Sequence, residues 1–271
     1  MTVREDSVAL TGGTLHWYEA GSGLPVVLLH GGGGTGRAFW AQLHSLSDQG
    51  WRILAPDMPG FGLSDWFDGV TRIEEIGPTL FEWLDSLEIP KAVLGGNSMG
   101  GRVAMSMASH HPSRVPALII LDSVGLTLSD VPIINPLTLP SNQYMRGLVF
   151  DPDRYKQHTP YRTLADAQQL NRGRVSFAKY LDHAAIQPDP ELDLGQLTMP
   201  TLLIWGREDR IVPLAYGKAL HQALGHGELT VIDDCGHLPH IEEPELTSHL
   251  IHDFLMRHQL QALADGAGDH R

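Results

Sequence analysis

The 271-residue sequence holds one cysteine, Cys235. No intrachain disulfide can form and no cysteine cluster can hold zinc, which fits a reducing compartment. Basic residues are scarce: 19 Lys and Arg stand against 32 Asp and Glu, a net charge of −13. That balance argues against nucleic acid, whose phosphates need clustered Lys and Arg, and against docking on anionic lipid. No apolar run approaches the roughly 18 residues of a membrane span. The N-terminus, MTVREDSVAL, lacks the apolar stretch of a signal peptide, so the cytoplasm is the expected location. Internal repeats and low-complexity tracts are also missing. What remains is an ordinary globular composition, 42% hydrophobic and 19% charged. A chain of this length buries about three-quarters of its surface, enough for a full core without staples.

Short apolar runs alternate with helical patterns. VVLL, LIIL and TLLIW are apolar without a break, the mark of strands buried on both faces of a parallel sheet. Strands are expected at 15–18, 25–29, 52–55, 92–94, 118–121, 201–205 and 229–232. Helices are expected at 37–48, 73–87, 99–110, 214–224 and 244–258. Strand–helix alternation of this kind makes βαβ units, so the fold class is α/β, a doubly wound, mostly parallel sheet. From 125 to 195 no clear strand appears. VPIINPLTLPSNQY is rich in Pro and Asn, and TLADAQQLNRGRVSFAKYLDHAA has a helical pattern. An insert this long is no plain loop. It reads as a helical cap over the strand ends, with the core formed by 1–124 and 196–262. The tail 263–271 is expected to be disordered.

Four loops at expected strand ends carry the chemistry. Gly96-Asn97-Ser98-Met99-Gly100 lies between a strand and a helix, the context in which G-x-S-x-G raises a nucleophilic serine above a sheet. A capped strand-to-helix turn is the bland reading of the same residues. His30-Gly31-Gly32-Gly33-Gly34 follows VVLL. Its glycines free the backbone to point N–H groups at an oxyanion, with Gly32 donating one and Met99 the other. The loop lacks the G-x-G-x-x-G spacing of a dinucleotide site, and neither a metal nor an organic cofactor is implied. Asp209, in WGREDRIVP after TLLIW, is placed to orient a histidine, with Glu208 the local alternative and Asp122, at the end of LIIL, the more serious one. His237, in DCGHLPH, is the candidate base and His240 its nearest competitor. With 15 histidines in the chain, position decides rather than residue type. The order Ser98, Asp209, His237 is nucleophile, acid, base. Cys235 reads as an inert buried neighbour. Phe39, Trp40, Trp66 and Phe67 read first as packing, with Trp40 the one retained as a candidate substrate contact.

With these residues in hand, the chain resembles the α/β-hydrolase superfamily over about 25–255, including DMPGFGLSD after the fourth strand of that fold. HGGGG, GNSMGG and WGREDRIVP look like the meta-cleavage-product hydrolases, which cut carbon–carbon bonds in ring-fission products of aromatic compounds. The resemblance implies a helical cap after the sixth strand, the Ser98–Asp209–His237 triad, and Gly32 and Met99 as oxyanion donors. It adds Gly33, Asn97 and Leu238 as substrate-side residues, and Arg172 or Arg174 as a cap arginine for a substrate carboxylate. Those enzymes usually carry Trp where Leu238 stands and Asn where FWAQ offers Gln42. The first expectation is therefore a serine hydrolase of small or medium carboxylic esters. The alternative is a carbon–carbon hydrolase, and a non-catalytic ligand-binding protein of the same fold comes third. The expected partner is a small-molecule substrate. A homodimer is compatible with the sequence.

Overall fold

The computed structural model describes residues 2–126, 128, 130–183 and 192–260. Strands β1 (Arg4–Leu10) and β2 (Gly13–Ala20) form a hairpin, and β3 (Pro25–Leu29) follows. Then come α1 (Trp40–Asp48), β4 (Arg52–Pro56), α2 (Ile76–Ser86), β5 (Val93–Asn97), α3 (Met99–His110) and β6 (Leu118–Leu121). Helices α4 (Ser141–Leu148), α5 (Pro152–His158) and α6 (Leu164–His183) make the helical cap inserted after the sixth strand. The chain then returns through β7 (Thr201–Gly206), α7 (Leu214–Leu224), β8 (Glu228–Ile232), α8 (Pro239–Glu242) and α9 (Pro244–Arg257). One eight-stranded sheet runs β1-β2-β4-β3-β5-β6-β7-β8, antiparallel at β1/β2 and β2/β4 and parallel elsewhere. This is the α/β-hydrolase fold.

The unbroken apolar runs are explained by the two cores. Along β6, Leu118 and Ile120 enter the core on one face, with Trp83 of α2, Val103 of α3 and Leu220 of α7. Ile119 and Leu121 enter the core on the other, with Leu43 of α1 and Phe254 of α9. Strand side chains alternate between faces, so a strand covered on both sides must be apolar throughout.

Strand β1 escaped the sequence reading. Its segment, REDSVAL, is charged and largely exposed, because it forms the sheet edge and pairs on one side only. The short helix α8 was also missed, being one turn opened by Pro239. The first turns expected in the helices at 37–48 and 73–87 are separate 3₁₀ segments, Gly36–Phe39 and Ile73–Glu75. The expected disordered tail at 263–271 lies outside the described residues.

The cap rests on the loop after β4. Tyr180 donates to the carbonyl of Pro59 at 2.9 Å, Ser176 to that of Gly60 at 2.5 Å, and Arg172 to those of Gly62 and Ser64 at 3.0 and 2.7 Å. At the start of α6, Arg37 pairs with Asp166, and Tyr161 meets the Thr35 hydroxyl at 3.0 Å. No helix among the described residues is long and apolar enough to cross a membrane.

Candidate active site

The carboxyl ends of β3, β5, β6, β7 and β8 converge under the cap, where open parallel sheets bind ligands. Ser98 joins β5 to α3 with φ 55° and ψ −116°, a conformation an L-residue adopts only where the surroundings impose it. The glycines around it make the turn possible. A methyl group on Gly96 would collide with the Gly100 backbone, and one on Gly100 with the Leu29 carbonyl. The strand, the helix and β3 therefore meet at van der Waals distance, and Ser98 is held up at the first turn of α3. The turn is tied to its neighbours. The Ser98 amide donates to Leu121 at 2.9 Å, and Ser123 donates to the Ser98 carbonyl at 2.7 Å.

His237 is buried, and its Nδ1 donates to Asp209 Oδ2 at 2.7 Å. The other Asp209 oxygen accepts the amides of Ile211 and Val212 at 2.7 and 3.0 Å. The sharp turn in EDRIVP thus aims the carboxylate. Glu208 points elsewhere and accepts the Cys235 amide at 3.0 Å. The histidine loop is fixed from three sides. Asn97 donates to the His237 carbonyl at 2.9 Å, the His237 amide donates to Leu148 at 2.7 Å, and Glu242 accepts the Gly236 amide at 3.0 Å. Glu242, which sequence reasoning did not single out, also accepts the Phe150 amide at 2.7 Å, so one buried carboxylate clamps the histidine loop to the cap. Burial raises its pKa.

Ser98, His237, Gly32, Gly33, Asn97, Met99, Leu238 and Arg174 all line one cavity. Gly31 packs on the nucleophile turn: a Cβ there would lie 2.7 Å from Asn97 Oδ1 and 3.5 Å from Ser98 Cβ. Met99 opens α3, and its amide has no acceptor within the helix. Most of the rest of the wall is apolar, including Phe177, Leu148, Ile133 and Val212, with Arg102, His240 and three tyrosines set among these residues. On α6, Leu170, Arg174, Phe177 and Leu181 recur every three or four residues and face the cavity. That periodicity in the cap was the one signal that could have found Phe177.

Two expected substrate contacts fall outside the cavity. Arg172 is spent on the Gly62 and Ser64 carbonyls, because it lies two residues from Arg174 and so projects from a different side of α6. Trp40 packs edge-on against Tyr18, with Arg37 over its ring. Phe39 stacks on His240 at 4.6 Å, and Trp66 on Tyr180 at 5.0 Å, as packing residues do. Gln42 is buried and braces the carbonyls of His240 and Pro244 at 3.2 and 3.3 Å, holding the segment after His237. His240 also lines the cavity, but burial lowers its pKa to about 3, so it is a neutral imidazole. Burial pushes the Cys235 thiol far up, which leaves it inert. Arg174, exposed to solvent, lies over the Tyr144 ring at 4.4 Å and makes no ion pair among the described residues. The other cavity arginine, Arg102, is paired with Glu74.

The alpha/beta hydrolase family profile matches residues 26–250. The chain belongs to the alpha/beta hydrolase family and is an enzyme of it, a hydrolase. It is 33% identical over 259 residues to the 2-hydroxymuconate semialdehyde hydrolase of Pseudomonas putida, covering 88% of this chain and 89% of that protein. It is 30% identical over 265 residues to the 2-hydroxy-6-oxo-6-phenylhexa-2,4-dienoate hydrolase of Comamonas testosteroni, covering 89% and 91%. Among solved structures, a thermophilic esterase from Thermogutta terrifontis superposes with a TM-score of 0.77 at 26% identity, over 93% of this chain and 99% of that one.

Proposed function

We propose that the protein cleaves the carbon–carbon bond beside a ketone in a ring-fission dienoate, by acyl transfer to Ser98, with the substrate carboxylate held by Arg174. The observation that carries this reading is the cavity itself: a largely apolar chamber over Ser98 whose one charged lining side chain without an ion pair among the described residues is a guanidinium. Guanidinium is suited to carboxylate, which it binds through paired N–H groups. Relatives named for such substrates, matched along nine-tenths of the chain, support it.

In this mechanism His237 takes the Ser98 proton as Ser98 Oγ bonds to the ketone carbon. The oxyanion is held by the Gly32 and Met99 amides, each worth about 3 kcal/mol if lost. In the 2-keto tautomer of the substrate, where the enol proton has moved to the carbon beside the ketone, the carbon–carbon bond breaks as the carbonyl reforms, its electrons pass through the remaining double bond to the 2-keto oxygen, and His237 delivers its proton to the resulting dienolate. Water, deprotonated by His237, then releases the acid and restores Ser98. Asp209 holds the His237 tautomer and stays ionised throughout.

A carboxylic ester is the second reading. Leu238 and the bracing role of Gln42 favour it, since both depart from the carbon–carbon hydrolase pattern at the site. The two separate in one experiment. Wild type and Arg174→Gln are assayed on 2-hydroxy-6-oxo-6-phenylhexa-2,4-dienoate and on p-nitrophenyl acetate. The ratio of kcat/KM for the acid to that for the neutral ester is expected to fall about tenfold in the variant, the worth of a charged hydrogen bond at an exposed guanidinium. An unchanged ratio removes Arg174 from substrate recognition. Turnover of the ester alone makes the enzyme an esterase.

A further inference from the structure

The catalytic carboxylate has a second acid against it. Asp122 directly follows β6, is fully buried, and has φ 43°. One oxygen of Asp122, one of Asp209 and one ring nitrogen of His237 all lie within 4.8 Å of one another. The two acids are unequally served. Asp209 collects three donors, the Ile211 and Val212 amides and His237 Nδ1. Asp122 collects one, the Gly206 amide on Oδ1 at 2.9 Å, and no donor of the described residues reaches its buried Oδ2. Two adjacent buried carboxyls cannot both be ionised without a cation between them, and the one with more donors keeps the charge.

We propose that Asp122 is a protonated, neutral acid whose Oδ2–H donates to the Asp209 carboxylate, making it a positioning residue that sets the basicity of the Asp209–His237 pair. It acts through Asp209 and does not touch substrate. The inference rests on the reading that Ser98, His237 and Asp209 perform hydrolysis.

The surroundings favour the protonated form. Burial raises the Asp122 pKa well above its ordinary value, and the negative charge of Asp209 raises it further. Glu242 faces it from α8 and also raises it. Cys235, in the loop before α8, is a neutral thiol. His240 and His30, the neighbouring imidazoles, are held neutral by burial and supply no cation.

The sign of the effect follows. A neutral donor spreads the charge of Asp209, which weakens its hold on the His237 cation. Losing that donor raises the His237 pKa, so the acid limb of kcat/KM moves to higher pH. If Asp122 were instead ionised, removing its charge would lower the His237 pKa and move the limb to lower pH.

The test is the pH profile of p-nitrophenyl acetate hydrolysis by wild type, Asp122→Ala, Asp122→Asn and Ser98→Ala, together with infrared difference spectra of wild type against Asp122→Asn. Asparagine keeps a donor toward Asp209 and an acceptor for Gly206. The expected result is an upward shift of the acid limb in Asp122→Ala and a wild-type limb in Asp122→Asn. In the infrared, the carbonyl stretch of a protonated carboxylic acid is expected in wild type and lost in Asp122→Asn. A downward shift in either variant, an unmoved limb in Asp122→Ala, or no such band in wild type overturns the proposal. The infrared readout needs no turnover, so it judges Asp122 even if wild-type hydrolysis proves independent of Ser98, the result that would sink the underlying reading instead.

Discussion

Asp122 and Gly100 show how a single residue is constrained by what touches it. A protonated Asp122 has a folded-state pKa above its unfolded value. Between the two values the folded protein holds a proton that the unfolded chain has lost, so stability falls as pH rises from about 4 upward. Asp122→Asn removes that dependence. Its melting temperature is expected to gain on wild type as pH is raised from 4 to 8, and calorimetry across that range checks it; a gain that shrinks with pH would mean the carboxyl is ionised in the fold. Gly100→Ala is expected to abolish activity and cost several kcal/mol, on the order of a severe core clash, because its methyl group would overlap the Leu29 carbonyl. Chemical denaturation and an ester assay on the soluble fraction measure both. The motif GNSMG was legible because Gly96 answers a steric demand from Gly100 within the same five residues, even though Gly100 itself is pressed by Leu29 of β3. The proton on Asp122 was not legible, because it depends on β6 and β7 lying side by side.

At the scale of elements, α6 separates two arginines that the sequence left equivalent. Arg172 holds the loop after β4, while Arg174 lines the cavity. Arg172→Ala is expected to lower stability by about 1 kcal/mol through its lost hydrogen bonds. It should leave the ratio of acid to ester turnover unchanged, the reverse of the pattern expected for Arg174→Gln. Urea melts beside the two-substrate assay distinguish them. The parallel strands were readable from their unbroken apolar runs, since burial on both faces leaves no other composition. Strand β1 was hidden because an edge strand pairs on one side and tolerates REDSVAL. Phe177 and Glu242 were hidden for a related reason: each matters through a partner remote in sequence, the glycine loop for one and the cap backbone for the other.

The whole molecule carries buried imidazoles that resist charging. His240 is held to a pKa of about 3, and His30 is lowered as well, in both cases chiefly by burial. Below about pH 6.5 the unfolded chain takes up protons that these residues refuse in the fold, so stability is lost as pH falls from 6.5 toward 3. His240→Phe, which keeps the stack on Phe39, is expected to lessen the slope of unfolding free energy against pH in that window by up to about 1.4 kcal/mol per pH unit. Denaturation at several pH values checks it, and an unaltered slope would mean His240 titrates normally in the fold.

Ser98 and His237 line the same largely apolar chamber, and acyl transfer through that pair is the central proposal. The direct measurement is release of the carboxylic acid fragment from 2-hydroxy-6-oxo-6-phenylhexa-2,4-dienoate by wild type and by Ser98→Ala, with folding of the variant confirmed by circular dichroism. Turnover by wild type that drops by about a millionfold in Ser98→Ala, as loss of a triad nucleophile does, is the expected result. Cleavage that persists in Ser98→Ala, or no cleavage by a wild-type enzyme that hydrolyses simple esters briskly, would contradict it.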